Sequence, residues 1–240
     1  MDARKEHILG AIIKEYTKTA EPVSSGLVFE KCNLGISPAT IRMEMLELEK
    51  DGFLEQPHTS AGRVPTNKAF RYFVDNLLSQ RENALTGSEK EYIKSEINSA
   101  GDDPHLISRQ IAKSVAKISN NFTLGGIVNT GEFFKSGFSG LFEMPEFQEH
   151  ERMIRVSSFF DQFERHIDKI FEEFFELDFR VLIGEENPIK DIYEETVIMA
   201  RYPLPNDNDG AAFMVGPIRM RYDKNIALMR YISNLMNSQF

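Results

Sequence analysis

The segment from Ser24 to Thr66 constrains the fold more than any other part of this 240-residue chain. Ser37-Pro38 is a strong helix start. Serine satisfies free backbone N–H groups of the first turn, and proline fits the first helical position because no intrahelical bond is lost there. Ile41, Met45 and Leu48 then recur at helical spacing, and Asp51-Gly52 stops the run. In front of this helix, Ser24 begins a shorter one that carries Leu27, Val28 and Cys32 inward. The intervening Asn33-Leu34-Gly35-Ile36 makes a tight turn in which Gly35 is free to take positive φ. Behind the second helix, Phe53 to Gln56 is predicted as a short strand, Pro57 to Gly62 as a polar turn and Arg63 to Pro65 as a returning strand. Two helices around a glycine turn, followed by a hairpin, make the pattern of a winged helix-turn-helix.

The flanks extend that reading. Asp2 is placed to cap a helix running to about Thr19, with Leu9, Ile12, Ile13 and Tyr16 on one face and Glu21-Pro22 as its break. Thr66 caps a fourth helix whose Phe70, Phe73, Val74 and Leu77 point one way. The polar stretch Ser79 to Ser88 is the domain boundary, giving expected domains 1–80 and 86–240. In the second domain, helices are predicted at 89–99 and 104–120 and a strand at 122–129. A long helical region follows at 147–177, with a break near Val156-Ser157-Ser158. Strands at 179–183, 196–201 and 211–220 precede a closing helix at 222–236. The fold class expected is α+β.

A helix about 10–12 Å across fits the major groove of B-form DNA, with its N-terminal residues facing base edges. Here those residues are Ser37, Ala39, Thr40, Arg42 and Met43. Arg42 can pair bidentately with guanine or hold a phosphate, and Thr40 can press its methyl on thymine. Ser24 and Ser25 open the preceding helix, where free N–H groups favour a phosphate. His58, Thr59, Ser60 and Arg63 on the hairpin suit backbone or minor-groove contacts. The later Glu44, Glu47, Glu49 and Asp51 would repel phosphate, so only the first turn and a half of the helix is expected to enter the groove.

Charge sets a limit on this reading. The net charge of −9 excludes indiscriminate nucleic-acid binding. Residues 1–80 carry a net of only −1, and Gln56 to Val74 holds Arg63, Lys68 and Arg71 with no acidic residue. Other chemistry finds little support. The single cysteine, Cys32, closes no intrachain disulfide, and the five histidines show no metal-ligand spacing. Glu185-Glu186 lies in a turn without a neighbouring histidine or nucleophile, so it is read as a solvated loop. No catalysis, cofactor or metal is expected. No run reaches the roughly 18 apolar residues of a membrane helix, and the charged opening lacks a signal-like apolar run, so a cytoplasmic location is expected. Phe159, Phe160, Phe163, Ile167, Ile170, Phe171, Phe174 and Phe175 form a wide aromatic face. It serves as core or, in part (Phe159, Phe163, Ile167, Phe171 and Phe174), as a dimer or partner surface.

Several segments carry a resemblance to a known family. Ser37-Pro38-Ala39-Thr40-Ile41-Arg42, the run from Leu54 to Thr66 and Phe70-Arg71-Tyr72-Phe73-Val74-Asp75 closely resemble HrcA, the bacterial heat-inducible transcription repressor family. The resemblance resumes at Gly140 to Phe147, Val181 to Pro188 and Val215 to Tyr222. It implies a repressor of chaperone operons that binds an inverted-repeat operator, called CIRCE, as a dimer. It also implies a GAF-like C-terminal domain and modulation by the GroE chaperonin. The chain departs from the family pattern in having Met43 where asparagine is usual and Gly26 near a usual basic residue. It is also shorter, since residues 130–138 span a gap that holds an inserted dimerisation domain in typical members. Two other readings stay open: a ligand-responsive regulator with a small molecule in the GAF-like domain, and a protein-interaction module without DNA binding.

Overall fold

The computed structural model describes residues 1–32, 35–59, 61–79, 84–161 and 178–240. The chain divides into two compact units, Met1–Gln80 and Arg81–Phe240. The expected mixture of helices with an antiparallel sheet is what forms, so the α+β class holds.

In the first unit, α1 (Ala3–Thr19) begins where the Asp2 carboxylate accepts from the Lys5 N–H at 2.9 Å, and ends at Ala20 in the left-handed region. α2 (Ser25–Lys31) and α3 (Pro38–Lys50) start on the hydroxyls of Ser24 and Ser37, which accept from Leu27 and Thr40 N–H. Gly35 takes the positive φ of 64° that the turn demands. β1 (Leu54–Glu55) and β2 (Val64–Pro65) pair antiparallel, and α4 (Asn67–Ser79) follows. The core is one apolar stripe from each helix: Ile8, Leu9, Ile12 and Ile13 of α1, Val28 of α2, Ile41, Met45 and Leu48 of α3, and Ala69, Phe70 and Val74 of α4.

In the second unit, α5 (Gly87–Asn98) opens with a capping box between Thr86 and Glu89, two residues before the expected start. Asp103 caps α6 (Pro104–Ser119). β3 (Phe122–Ile127) turns directly into β4 (Glu132–Ser136), a strand the sequence pattern did not suggest. Two short elements, α7 (Phe138–Phe142) and a 3-10 turn at Pro145–Gln148, lead into α8 (His150–Asp161). This helix runs unbroken through Val156-Ser157-Ser158, against the expected break. β5 (Phe179–Ile183), β6 (Glu195–Leu204), β7 (Asn208–Pro217) and α9 (Tyr222–Asn237) complete the unit.

The five strands make one antiparallel sheet in the order β4-β3-β7-β6-β5. Side chains alternate between its faces. Phe122, Leu124, Val197, Met199, Phe213 and Val215 join Leu141, Phe147, Val156, Phe159 and Phe160 in one core cluster. The other face is covered by α6 and α9. Gly125 permits the approach of α6, since a Cβ there would stand 2.6 Å from the Ser108 carbonyl oxygen. The three downstream segments that resemble HrcA meet at one end of this sheet. The Glu146 carboxylate accepts a paired contact from Arg219, with Nη2 at 2.9 Å. The Asn187 amide donates to the carbonyls of Gly184, Ile192 and Glu195, and Glu195 is the register partner of Pro217. Arg152 of α8 grips the buried Glu195 carboxylate through Nε at 2.8 Å and Nη2 at 3.0 Å.

Candidate nucleic-acid interface

α3 is anchored by its buried stripe, which leaves the opposite side to solvent. Along that side Ser37, Ala39, Arg42 and Met43 are exposed, while Thr40 is half-buried. Met43 is 61% exposed. Thr40 is locked into the cap: its N–H donates to the Ser37 hydroxyl at 3.2 Å, and the two hydroxyl oxygens lie 3.0 Å apart. Arg42 has no ion-pair partner among the described residues.

The acidic residues of α3 are paired within the unit. Glu44 meets Arg4 at 3.1 Å, Glu47 meets Lys5 at 2.6 Å and Glu49 meets Arg63 at 2.8 Å. The Lys5 ammonium, as hydrogen-bond partner and nearby charge, holds the Glu47 carboxyl below its ordinary range, and Glu47 in turn holds Lys5 up. These cations come from α1 and from the strand side of the hairpin, so the flanks of α3 are neutralised from both sides. Sequence reasoning missed Arg4 and Lys5, because partners 40 and 42 residues away leave no local signal.

The hairpin is held from inside. Gln56 Nε2 donates to the carbonyls of Thr59 and Ala61 at 3.1 and 3.0 Å, and Ala61 N–H donates to the His58 carbonyl at 2.8 Å. His58 and Thr59 are exposed at its tip, and Ser60 lies outside the described residues. Val23, in the link between α1 and α2, pairs with Arg63 through two backbone hydrogen bonds of 2.9 Å. Gly62 makes this possible: a Cβ there would lie 2.5 Å from the Val23 carbonyl carbon.

Arg63 needs correction as a DNA-contact residue. It is only 9% exposed, and both Nε and Nη2 bind the same oxygen of Glu49. Its guanidinium ties the hairpin to α3. The wider basic stretch is likewise committed: Lys68 donates to the Asp51 carbonyl and lies over the Phe53 ring, and Arg71 pairs with Asp75. Ser24 is exposed, but its hydroxyl is engaged in capping α2, and Ser25 is half-buried beside it.

The aromatic surface also changes. Phe159 is 1% exposed and its ring stands 5.3 Å from that of Phe160, so it belongs to the core rather than to a dimer or partner surface. Phe163, Ile167, Phe171 and Phe174 lie outside the described residues. Among the described residues no group of three histidine, cysteine or acidic side chains is placed to hold a metal, and no helix is long and apolar enough to cross a membrane. A cavity of about 300 Å³ between α6 and β4 is lined by Arg109, Ala112, Lys113, Phe134, Lys135 and Ser136. That lining is mostly polar, unlike the apolar walls of small-molecule sites.

The family described as HrcA protein C terminal domain matches residues 66–226. The chain belongs to the HrcA family. The heat-inducible transcription repressor HrcA of Moorella thermoacetica is 25% identical, over 99% of this chain and 97% of the relative. That alignment spans 337 positions against the 240 residues here, so the relative carries many positions that this HrcA-family chain lacks. The protein of the same name from Desulforamulus reducens is 61% identical over 82 residues, covering 34% of this chain and 23% of the relative. A crystal structure of a hypothetical protein superposes with a TM-score of 0.83 at 18% identity, covering 100% of this chain and 98% of that one. At that identity the likeness establishes a shared fold.

Proposed function

We propose that this HrcA-family chain is a transcriptional repressor of heat-inducible genes, acting through a winged helix-turn-helix in its first unit. In this reading α2 and α3 are the two helices of the motif, the β1–β2 hairpin is the wing, and α3 lies in the major groove of an operator duplex. Ser37, Ala39, Thr40, Arg42 and Met43 face the bases, and His58, Thr59 and Ser60 approach the backbone. The observation that carries this is the groove-facing side of α3. It offers an exposed turn and a half with an arginine that has no ion-pair partner among the described residues, while Glu44, Glu47 and Glu49 are each neutralised by a cation of the same unit. A polyanion therefore meets no uncompensated carboxylate from these three residues.

The second unit is the regulatory, GAF-like domain in this proposal. The chain acts as a homodimer on a CIRCE-type inverted repeat, because two identical readers suit two half-sites related by two-fold symmetry. The GroE chaperonin keeps it competent, so that titration of chaperonin by misfolded protein relieves repression. The test is a binding titration of the whole chain against a CIRCE-type repeat and a scrambled duplex, at two salt concentrations, with and without chaperonin. Selective binding to the repeat, weakened by salt and raised by chaperonin, is the expected result. Equal affinity for repeat and scramble would refute operator reading, and indifference to chaperonin would refute that mode of control.

A further inference from the structure

We propose that α3 selects its operator through the 5-methyl groups of thymine, with Met43 making the contact and Ala39 beside it. This rests on the DNA-reading assignment above and gives it a chemical preference. Ala39 and Met43 stand four residues apart, one turn of helix, on the side opposite Ile41, Met45 and Leu48. Leu46 continues the same line and is half-exposed. The centre of the outward face is therefore apolar.

The major groove presents hydrogen-bond donors and acceptors and a single apolar group, the thymine methyl. A thioether donates no hydrogen bond and accepts only weakly, so Met43 cannot pair with a base edge as an amide or guanidinium does. Its unbranched, polarisable chain packs well around a methyl group. Thr40 lies to one side of this line, half-buried, and its hydroxyl shares a 3.0 Å hydrogen bond with that of Ser37. Arg42 flanks the apolar line and supplies a cation for guanine or phosphate. The face thus combines methyl contact at its centre with one charged contact at its side.

Deoxyuridine differs from thymidine only by that methyl. The experiment selects duplexes from a random library with the full-length chain, then replaces each dT of the enriched site by dU, one at a time. At one or more positions in each half-site, affinity is expected to fall about fourfold, the factor for one buried methyl-sized group. Met43→Ala is expected to bind the dT duplex more weakly and to become indifferent to the dU exchange at that position, closing a double-substitution cycle. Because the Met43 side chain is exposed, the variant is expected to melt with the unaltered chain, and the dU series on the unaltered protein needs no variant at all. An enriched site in which every dT tolerates dU would overturn the inference and leave operator reading intact. A dU effect that persists in Met43→Ala would overturn the role of Met43. Failure to enrich any duplex would overturn the DNA-reading assignment and this inference with it.

Discussion

Arg42 and Arg63 carry the same side chain and have opposite fates. Arg42 projects from α3 without an ion-pair partner among the described residues, whereas Arg63 is buried against Glu49. Arg42→Ala is expected to lower affinity for the operator duplex about tenfold or more, the scale of a lost guanidinium contact to a base, with an unchanged melting temperature. Arg63→Ala is expected to cost about 1–3 kcal/mol of stability, because the charge-assisted hydrogen bonds to Glu49 and the packing of a nearly buried guanidinium are lost together. A shift in denaturant midpoint at constant slope is the measurement, and an Arg63 variant of unaltered stability would contradict the brace. The difference between these arginines was not legible in the sequence. A hairpin arginine in a polar run reads as exposed, and its partner lies 14 residues earlier on another element.

At the scale of elements, the ends of helices were the most legible features. Asp2, Ser24, Ser37 and Thr66 each announce a helix by residue type, since a short polar side chain beside free N–H groups has few better uses. What stayed hidden has physical reasons too. β4 reads Glu-Phe-Phe-Lys-Ser, without clean alternation, because an edge strand with one partner is only partly covered. The start of α5 lay inside a polar stretch that looked like linker, although Thr86 and Glu89 form a full capping box. Lys224 of α9 holds Glu89 at 2.6 Å and, together with the Thr86 N–H, draws its carboxyl from 4.5 down to about 2. A carboxyl lowered on folding stabilises the fold above its unfolded value and loses that contribution as pH falls through its folded one. The midpoint of unfolding is therefore expected to drop between about pH 4.5 and 2, and Glu89→Gln to flatten that part of the profile. An unchanged acid limb in the variant would disprove the assignment.

For the whole molecule, the α+β class was legible in the alternation of helical and strand periodicities. The strand order β4-β3-β7-β6-β5 was not, because it depends on pairings between residues nearly a hundred positions apart, such as Phe122 with Val215. The meeting of three resembling segments around Glu146, Asn187, Glu195 and Arg219 was equally out of reach from spacing alone. Net charge sets the remaining expectation. A chain of −9 gains little from bulk attraction to DNA, so its binding depends on a well-fitted duplex. Affinity for an unrelated duplex is expected to vanish at moderate salt while the selected site is still bound. Comparable retention of both would argue for a generic polyelectrolyte contact.

The close approach of Gly62 to Val23 carries a consequence for how such a protein changes its target. The root of the hairpin hangs on the hinge between the first two helices, and no side chain fits between them. Drift at that root is penalised in the folding of the unit before DNA is ever met. The outward face of α3 has no such duty: Ala39 and Met43 touch solvent and can be exchanged at little structural cost. Under the proposed reading, in which α3 meets the bases, a lineage can rewrite its operator one contact at a time while the frame around that helix stays closed to revision.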